Sequence, residues 1–153
     1  MRIILAAGVP TITSGSAYAA GQAIGSTITM PKMQDFGFGT ILNLALIDKS
    51  NQKSAIDVLI FNQPLASPQT DKTTLSITAA DAANLIGHIA LVAGDYADLS
   101  ASASATKYNL WMAAAGGVDN NVYVQLVSRG TPTYTSTTAL TVKLTAQIDA
   151  DVF

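Results

Sequence analysis

Cysteine is absent from the 153 residues. Disulfides are therefore excluded as a source of stability, a cysteine-based structural zinc site goes with them, and the redox compartment is unreadable. There is one histidine, His88. That excludes a metal cage of several histidines. Charge is scarce, at 12% of residues, where an average soluble domain has about 25%. Lys and Arg total 8, form no cluster and leave a net charge of −2. Electrostatic nucleic-acid binding needs several phosphate contacts from such residues, so it is not expected. No apolar run approaches the ~20 residues of a membrane-spanning helix.

What is present is a hydrophobic fraction of 49%. Disordered chains combine low hydrophobicity with high charge, so disorder is not expected. The length suits a single domain over residues 1–153, with no internal boundary and no repeat of fixed period. Roughly two-thirds of the unfolded surface of such a domain is buried on folding. With so few charges, Ser, Thr, Asn, Gln and Ala must cover the exterior. A plain polar exterior and an extensive protein-contact surface both fit that composition. Residues 1–25 read as an N-terminal arm with the first strands, part of the same unit. Ile3–Val9 and Ala17-Tyr18-Ala19 imitate a secretory signal, but Gly8 and Pro10 interrupt the run, so a structural arm or strand is expected.

Alternation places the strands. TILNLALI (Thr40–Ile47) sets Leu42, Leu44 and Leu46 on one face. AIDVLIF (Ala55–Phe61) is apolar on both faces and reads as a central strand. Asp48–Lys53 is a polar turn cluster, so these two strands are expected to form a hairpin with a long loop. Pro64 and Pro68 mark Gln63–Lys72 as loop. Thr78 with Asp81 resembles a capping box, and Gly87 supplies a helix stop, which predicts one short helix near residues 79–86. Gly87–Ala93 and Tyr108–Ala113 are strand candidates, and Ser100–Thr106 reads as loop. Val122–Ser128 and Leu140–Ile148 are strands joined by a Gly/Pro/Thr connection; the second alternates apolar residues with Thr141, Lys143, Thr145 and Gln147, so one face is wet. Arg2–Leu5, Thr11–Thr13, Gly21–Ile24 and Thr27–Met30 are further short strands. About eight strands with one short helix predict an all-β fold, a jelly-roll-like antiparallel β-sandwich.

No set of side chains announces catalysis. His88 is the only obvious base, and no nucleophile motif adjoins it. Gly21–Gly25 (GQAIG) is not followed by GK[ST] opening a helix, so it is not a phosphate loop. Ten acids are scattered without a pattern that selects a pair for glycoside hydrolysis. Asp95, Asp98 and Asp119-Asn120-Asn121 offer oxygens, but not the ligand spacing of an EF-hand, and turns favour these residues anyway. Neither an enzyme nor a cofactor or metal is expected. Phe61 and Trp111 are expected in the core. For Phe36, Phe38 and Tyr134, on loop-like ground, core and interface both stay open.

Three blocks carry a resemblance: DKSNQKSAIDVLIFNQP (Asp48–Pro64), LSITAADAANLIGHI (Leu75–Ile89) and LVSRGTPTYTSTTALTVKL (Leu126–Leu144). Together they cover about a third of the chain. They resemble a family of small virion proteins of tailed phages, similar to the capsid cement or decoration proteins of some phages, including cyanophage-like podoviruses. The resemblance implies jelly-roll subunits sitting as oligomers on the outer capsid of the virion, assembled in the host cytoplasm, and it supplies no catalytic residues. The expected partners are the major capsid protein and further copies of the chain, a dimer being favoured over a trimer because two-fold closure is commonest. Neither nucleic acid nor membrane is expected as a partner. Arg129, Pro132 and Tyr134 form one candidate contact surface; Phe36 and Phe38 form a second. The alternatives are a tail, neck or baseplate component, and a carbohydrate- or receptor-binding module with Trp111 or Tyr108 near Asp119.

Overall fold

The computed structural model describes residues 1–34 and 38–148. Ten strands follow one another: β1 (Arg2–Gly8), β2 (Ala23–Met30), β3 (Thr40–Asp48), β4 (Ile56–Phe61), β5 (Leu85–Leu91), β6 (Tyr96–Asp98), β7 (Ala103–Lys107), β8 (Met112–Ala113), β9 (Val122–Ser128) and β10 (Leu140–Ile148). One α-helix, α1 (Ala79–Ala82), lies between β4 and β5. One sheet has the order β1-β10-β3-β7-β6, with β8 also on β3; the other has the order β2-β9-β4-β5. Every pairing is antiparallel.

The pairings nest. β1 pairs with β10, β2 with β9, β3 with β7 and β4 with β5. Rolling that nested hairpin so that alternate pairs fall in opposite sheets gives the two-sheet jelly roll. The expected all-β jelly-roll sandwich is therefore the observed fold. The strand count differs: β6 and β8 are additions to the eight nested strands.

The core lies between the sheets. β10 contributes Leu140, Val142, Leu144, Ala146 and Ile148, and β9 contributes Val122, Val124 and Leu126, all buried. Each of these Val, Leu and Ile side chains stabilises the fold by about 1.5–3 kcal/mol through removal from water. On β3 the inward residues are Ile41, Leu44 and Leu46. Their odd spacing is accommodated by a register shift between Thr145 and Ala146 of β10. A bulge of this kind re-aims the side chains that follow. Leu42 is consequently only half-buried, not an inward partner of Leu44 and Leu46.

Several local expectations are corrected. β3 and β4 are not a hairpin: the turn at 48–53 carries the chain from one sheet to the other. Asp48, 1% exposed, braces that crossing by accepting from the amides of Ser50, Gln52 and Lys53. The helix ends at Ala82. Thr78 does cap it, accepting from the Asp81 amide at 3.1 Å, but Gly87 sits inside β5 opposite Ile60. A Cβ at Gly87 would fall 2.2 Å from Met112 Sδ, so this glycine makes room for the Met112 side chain and does not end the helix. Ser100–Thr106 contains all of β7 but Lys107, and its Ala103 and Ala105 are fully buried. Tyr108–Ala113 is strand only at its end, because Asn109 and Trp111 take positive φ values of 57° and 51°. Gly21–Ile24 and Thr27–Met30 merge into the single strand β2, irregular between Ile24 and Ile28, and Thr11–Thr13 forms no strand.

Candidate functional site

The residues singled out from sequence are not gathered into one place. Tyr134 is fully buried and Pro132 is buried beside it; they brace the chain's own interior and are withdrawn from its surface. Tyr134 meets Tyr18 edge to face, with ring centroids 5.8 Å apart. The backbone around them is clamped: Gly15 donates to the Tyr134 carbonyl at 2.8 Å and Tyr18 to the Pro132 carbonyl at 2.9 Å. The Tyr134 amide neighbour Thr135 reaches Ser50 Oγ at 3.0 Å. Burial first, and then the charge of Asp48, pushes the Tyr134 hydroxyl well above the ordinary tyrosine range. Thus the 129–139 connection ties the N-terminal segment to the 48–53 turn.

Arg129 remains exposed and pairs with Asp57, whose other carboxylate oxygen lies 3.4 Å from His88 Nε2. Phe38 is 55% exposed, at the end of the sandwich where β3 begins. The Arg129 connection lies at the end where β3 finishes, roughly 27 Å away along a nine-residue strand. Phe36 lies outside the described residues. Trp111, expected in the core, is 66% exposed, and Tyr108 is 68% exposed; the two positive-φ residues between β7 and β8 turn this stretch outward.

The polar side chains serve structure. All the acids are aspartates. Asp71 accepts from the Thr13 amide and hydroxyl, the Tyr18 hydroxyl and the Gly25 amide. Burial and this bond to Asp71 raise the Tyr18 hydroxyl far above its ordinary value. Gly25 is needed there: its φ is +69°, and a Cβ would meet Pro10 at 2.7 Å. Asp81 accepts from the amides of Ala66 and Ser67. Asp95 accepts from Val92 N and Lys107 Nζ, and Asp119 from Asn121 N and Tyr123 Oη. The Lys107 bond, followed by the Val92 amide, holds the Asp95 carboxyl below the usual carboxylate range. Carboxylates engaged in this way brace loops. Among the described residues no group of three His, Cys, Asp or Glu is placed to hold a metal ion. Three surface depressions measure about 220–240 Å³, below the usual 300–1,000 Å³ of small-molecule sites. No described helix is long and apolar enough to cross a membrane.

The informative geometry is in the outer faces of the sheets. On the four-stranded sheet, the register directs Phe61, Tyr123, Gln125 and Val127 away from the core, yet all four are buried. The β4–β5 connection covers them. Pro64, Leu65 and Pro68 border the same depression as Thr29 and Tyr123. Lys72 N donates to Ala23 O, and Ala23 N donates to Thr73 O. Asp81 holds the opposite part of this strap through Ala66 and Ser67.

The six-stranded sheet is different. Its outward rows are Leu5, Thr145 and Asn43; Ala7, Lys143, Ala45 and Thr106; and Thr141, Ile47, Ser104 and Ala97, with Ile3 and Gln147 at one end. All but Thr141 are half-buried or exposed. Lys143 is the one charged residue among them. The wet face of β10 was legible as alternation. The Ser104 and Thr106 contribution was hidden, because SASASAT carries the composition of a loop.

No protein-family model, curated protein or solved structure matches the chain.

Proposed function

We propose that the chain is a structural protein of a phage particle, a cement protein that sits on the outer capsid and bridges neighbouring major capsid proteins. The observation that carries this reading is the bare, nearly uncharged outer face of the six-stranded sheet. Its five main strands, of 7, 9, 9, 5 and 3 residues, present about 500 Å² in projection at about 3.3 Å per residue and about 4.8 Å between strands. One side of a stable protein interface occupies about 800 Å². Docking this face strips water from a single ion, Lys143, while Thr, Ser, Asn and Gln offer hydrogen bonds in its place. The jelly roll gives a stiff support, and the resemblance of the Asp48–Pro64, Leu75–Ile89 and Leu126–Leu144 blocks to phage virion proteins points the same way. Many copies attached through weak contacts gain avidity without any one strong site. In this reading the chain is not an enzyme and uses no cofactor.

Thr145→Lys tests the reading. Thr145 is half-buried in the middle of the face, so the expected result is a folded protein that no longer decorates capsids lacking the native copy. Undiminished decoration overturns the role of the face. Electron cryo-microscopy of the particle tests the location, and density confined to the tail, neck or baseplate replaces the cement reading with that rival. A second reading rests on the exposure of Tyr108 and Trp111, since exposed aromatic rings stack on sugars. Specific, saturable binding on a glycan array, lost in Trp111→Ala, favours a carbohydrate-binding module.

A further inference from the structure

The four sheet edges are not equally protected. An edge strand exposes unpaired amides and carbonyls, and proteins blunt it with bulges, charges, short length or a covering segment. β2 is irregular between Ile24 and Ile28, and Lys72 and Thr73 bond to Ala23 on its free side. β6 has three residues and is flanked by the Lys53–Asp98 and Lys107–Asp95 ion pairs. β5 shifts register at Ile60/Phe61 and is pressed by Met112 at Gly87. Among the described residues β1 has none of these devices. Its seven residues pair with β10 without a register shift, it carries no charge after Arg2 and no proline, and Ile3 and Leu5 are 56% and 65% exposed.

We propose that β1 is the pairing edge for a second copy of this chain, joined antiparallel across a two-fold axis near Leu5 so that the six-stranded sheets of two copies become one continuous sheet. The sequence of β1 is self-complementary in that arrangement. Leu5 meets Leu5 of the second copy and Ile3 meets Ala7, so the outward side chains at the seam are all apolar. Arg2 falls opposite Gly8, and the two Arg2 side chains are separated by about six residues, roughly 20 Å. That exceeds the ~8 Å Debye length at physiological salt, so their repulsion is screened. Backbone pairing supplies the attraction, as in other strand additions. One strand edge is smaller than a standard interface, so the dimer is weak and concentration-dependent. This arrangement deepens the cement reading by naming the oligomer contact, but the edge argument stands on β1 alone.

Sedimentation of the full chain from about 1 to 200 μM is the test, a range that brackets the micromolar affinity of small interfaces. The expected result is a reversible monomer–dimer equilibrium whose affinity falls at least tenfold in Leu5→Lys. A wild-type chain that stays monomeric throughout, or a Leu5→Lys variant that dimerises unchanged, overturns the proposal. Because the chain has no cysteine, single-cysteine variants report proximity directly and cover the case in which Leu5→Lys does not fold. Leu5→Cys is expected to oxidise to a covalent dimer and Leu99→Cys, 54% exposed just after β6 at the opposite edge of the sheet, is not; equal cross-linking of both counts against the edge. Capsid decoration measured on the same samples separates the two readings. A dimer that fails to decorate sinks the cement role and leaves the edge, whereas a monomeric wild type whose decoration is lost in Leu5→Lys assigns the edge to the capsid protein instead.

Discussion

Phe61, Gln125 and Val127 point away from the core and are buried; Ala7, Asn43 and Ala97, also outward, meet solvent on the other sheet. The difference lies in the strands. VYVQLVS in β9 is buried at every position, whereas LTVKLTAQI in β10 alternates. A strand whose outward residues are large or aromatic obliges the chain to bring its own cover, and the 62–84 connection is that cover. Even the amide of Gln125 is satisfied beneath it, donating to the carbonyls of Gly25 and Leu126 and accepting from Thr27 Oγ1. Where the outward residues are mostly Thr, Ser, Ala and Asn, with Ile3, Leu5 and Ile47 spread among them, no cover is needed for the monomer to persist, and the face stays open for another molecule. The contrast teaches that outer-face composition, strand by strand, separates what the fold must hide from what it can offer.

The contrast is broken most strongly at Phe61. Phe61→Ala should cost about 3–5 kcal/mol, the cost of emptying a packed aromatic site, whereas Ile47→Ala on the open face should cost about 1 kcal/mol; urea titrations of both variants measure the gap, and equal costs would remove the distinction between the faces. Acid should act next, and on the strap before the central strands. The Ala66 amide, helped by Ser67 and Thr78 and opposed by burial, holds the Asp81 carboxyl below its ordinary value. A depressed folded pKa means that its stabilisation is fully present above the unfolded value of about 3.9 and is lost as pH falls through the folded one. Hydrogen exchange should therefore show the Ala66 and Ser67 amides losing protection at acid pH before those of β10, and Asp81→Asn should open the strap at neutral pH. Simultaneous loss in both regions would mean that the strap is not an independent cover. The smallest effect is expected at Trp111→Ala, within about 0.5 kcal/mol of wild type in the same titration. A larger loss would return Trp111 to the core where its size first placed it.

The long strands were legible because hydrophobic alternation is a local signal, and β3, β4, β9 and β10 carry it plainly. The jelly roll followed from their number and spacing. What stayed hidden was decided by distant partners. β3 and β4 are adjacent in sequence and separated by a polar turn, so a hairpin was the natural reading; only the braced crossing at Asp48 shows that the chain changes sheets. Asp81 sits where a capping box would put it, but its carboxylate serves the Ala66 and Ser67 amides instead. Ala103 and Ala105 look like loop residues until pairing with β3 and β6 makes them buried strand positions. Tyr134 reads equally as core or interface, and the tie is broken by Tyr18, more than a hundred residues earlier. On the interaction surface, the wet side of β10 was visible, while its continuation onto β3, β7 and β1 depended on register, which no single segment encodes.

The nested pairing has a consequence in time. Arg2 of the first strand is opposite Ile148 of the last, so the outermost pair is also the most distant in sequence. Closing it brings together ends that no shorter contact has prepared, and topologies dominated by such contacts fold in milliseconds to seconds, not microseconds. The inner pair, β4 with β5, can form first and each surrounding pair can settle on the one inside it. Until β10 arrives, β1 has no partner on either side. The first strand along the chain is thus among the last to find its place, and during that wait both of its edges are open to whatever strand is nearby.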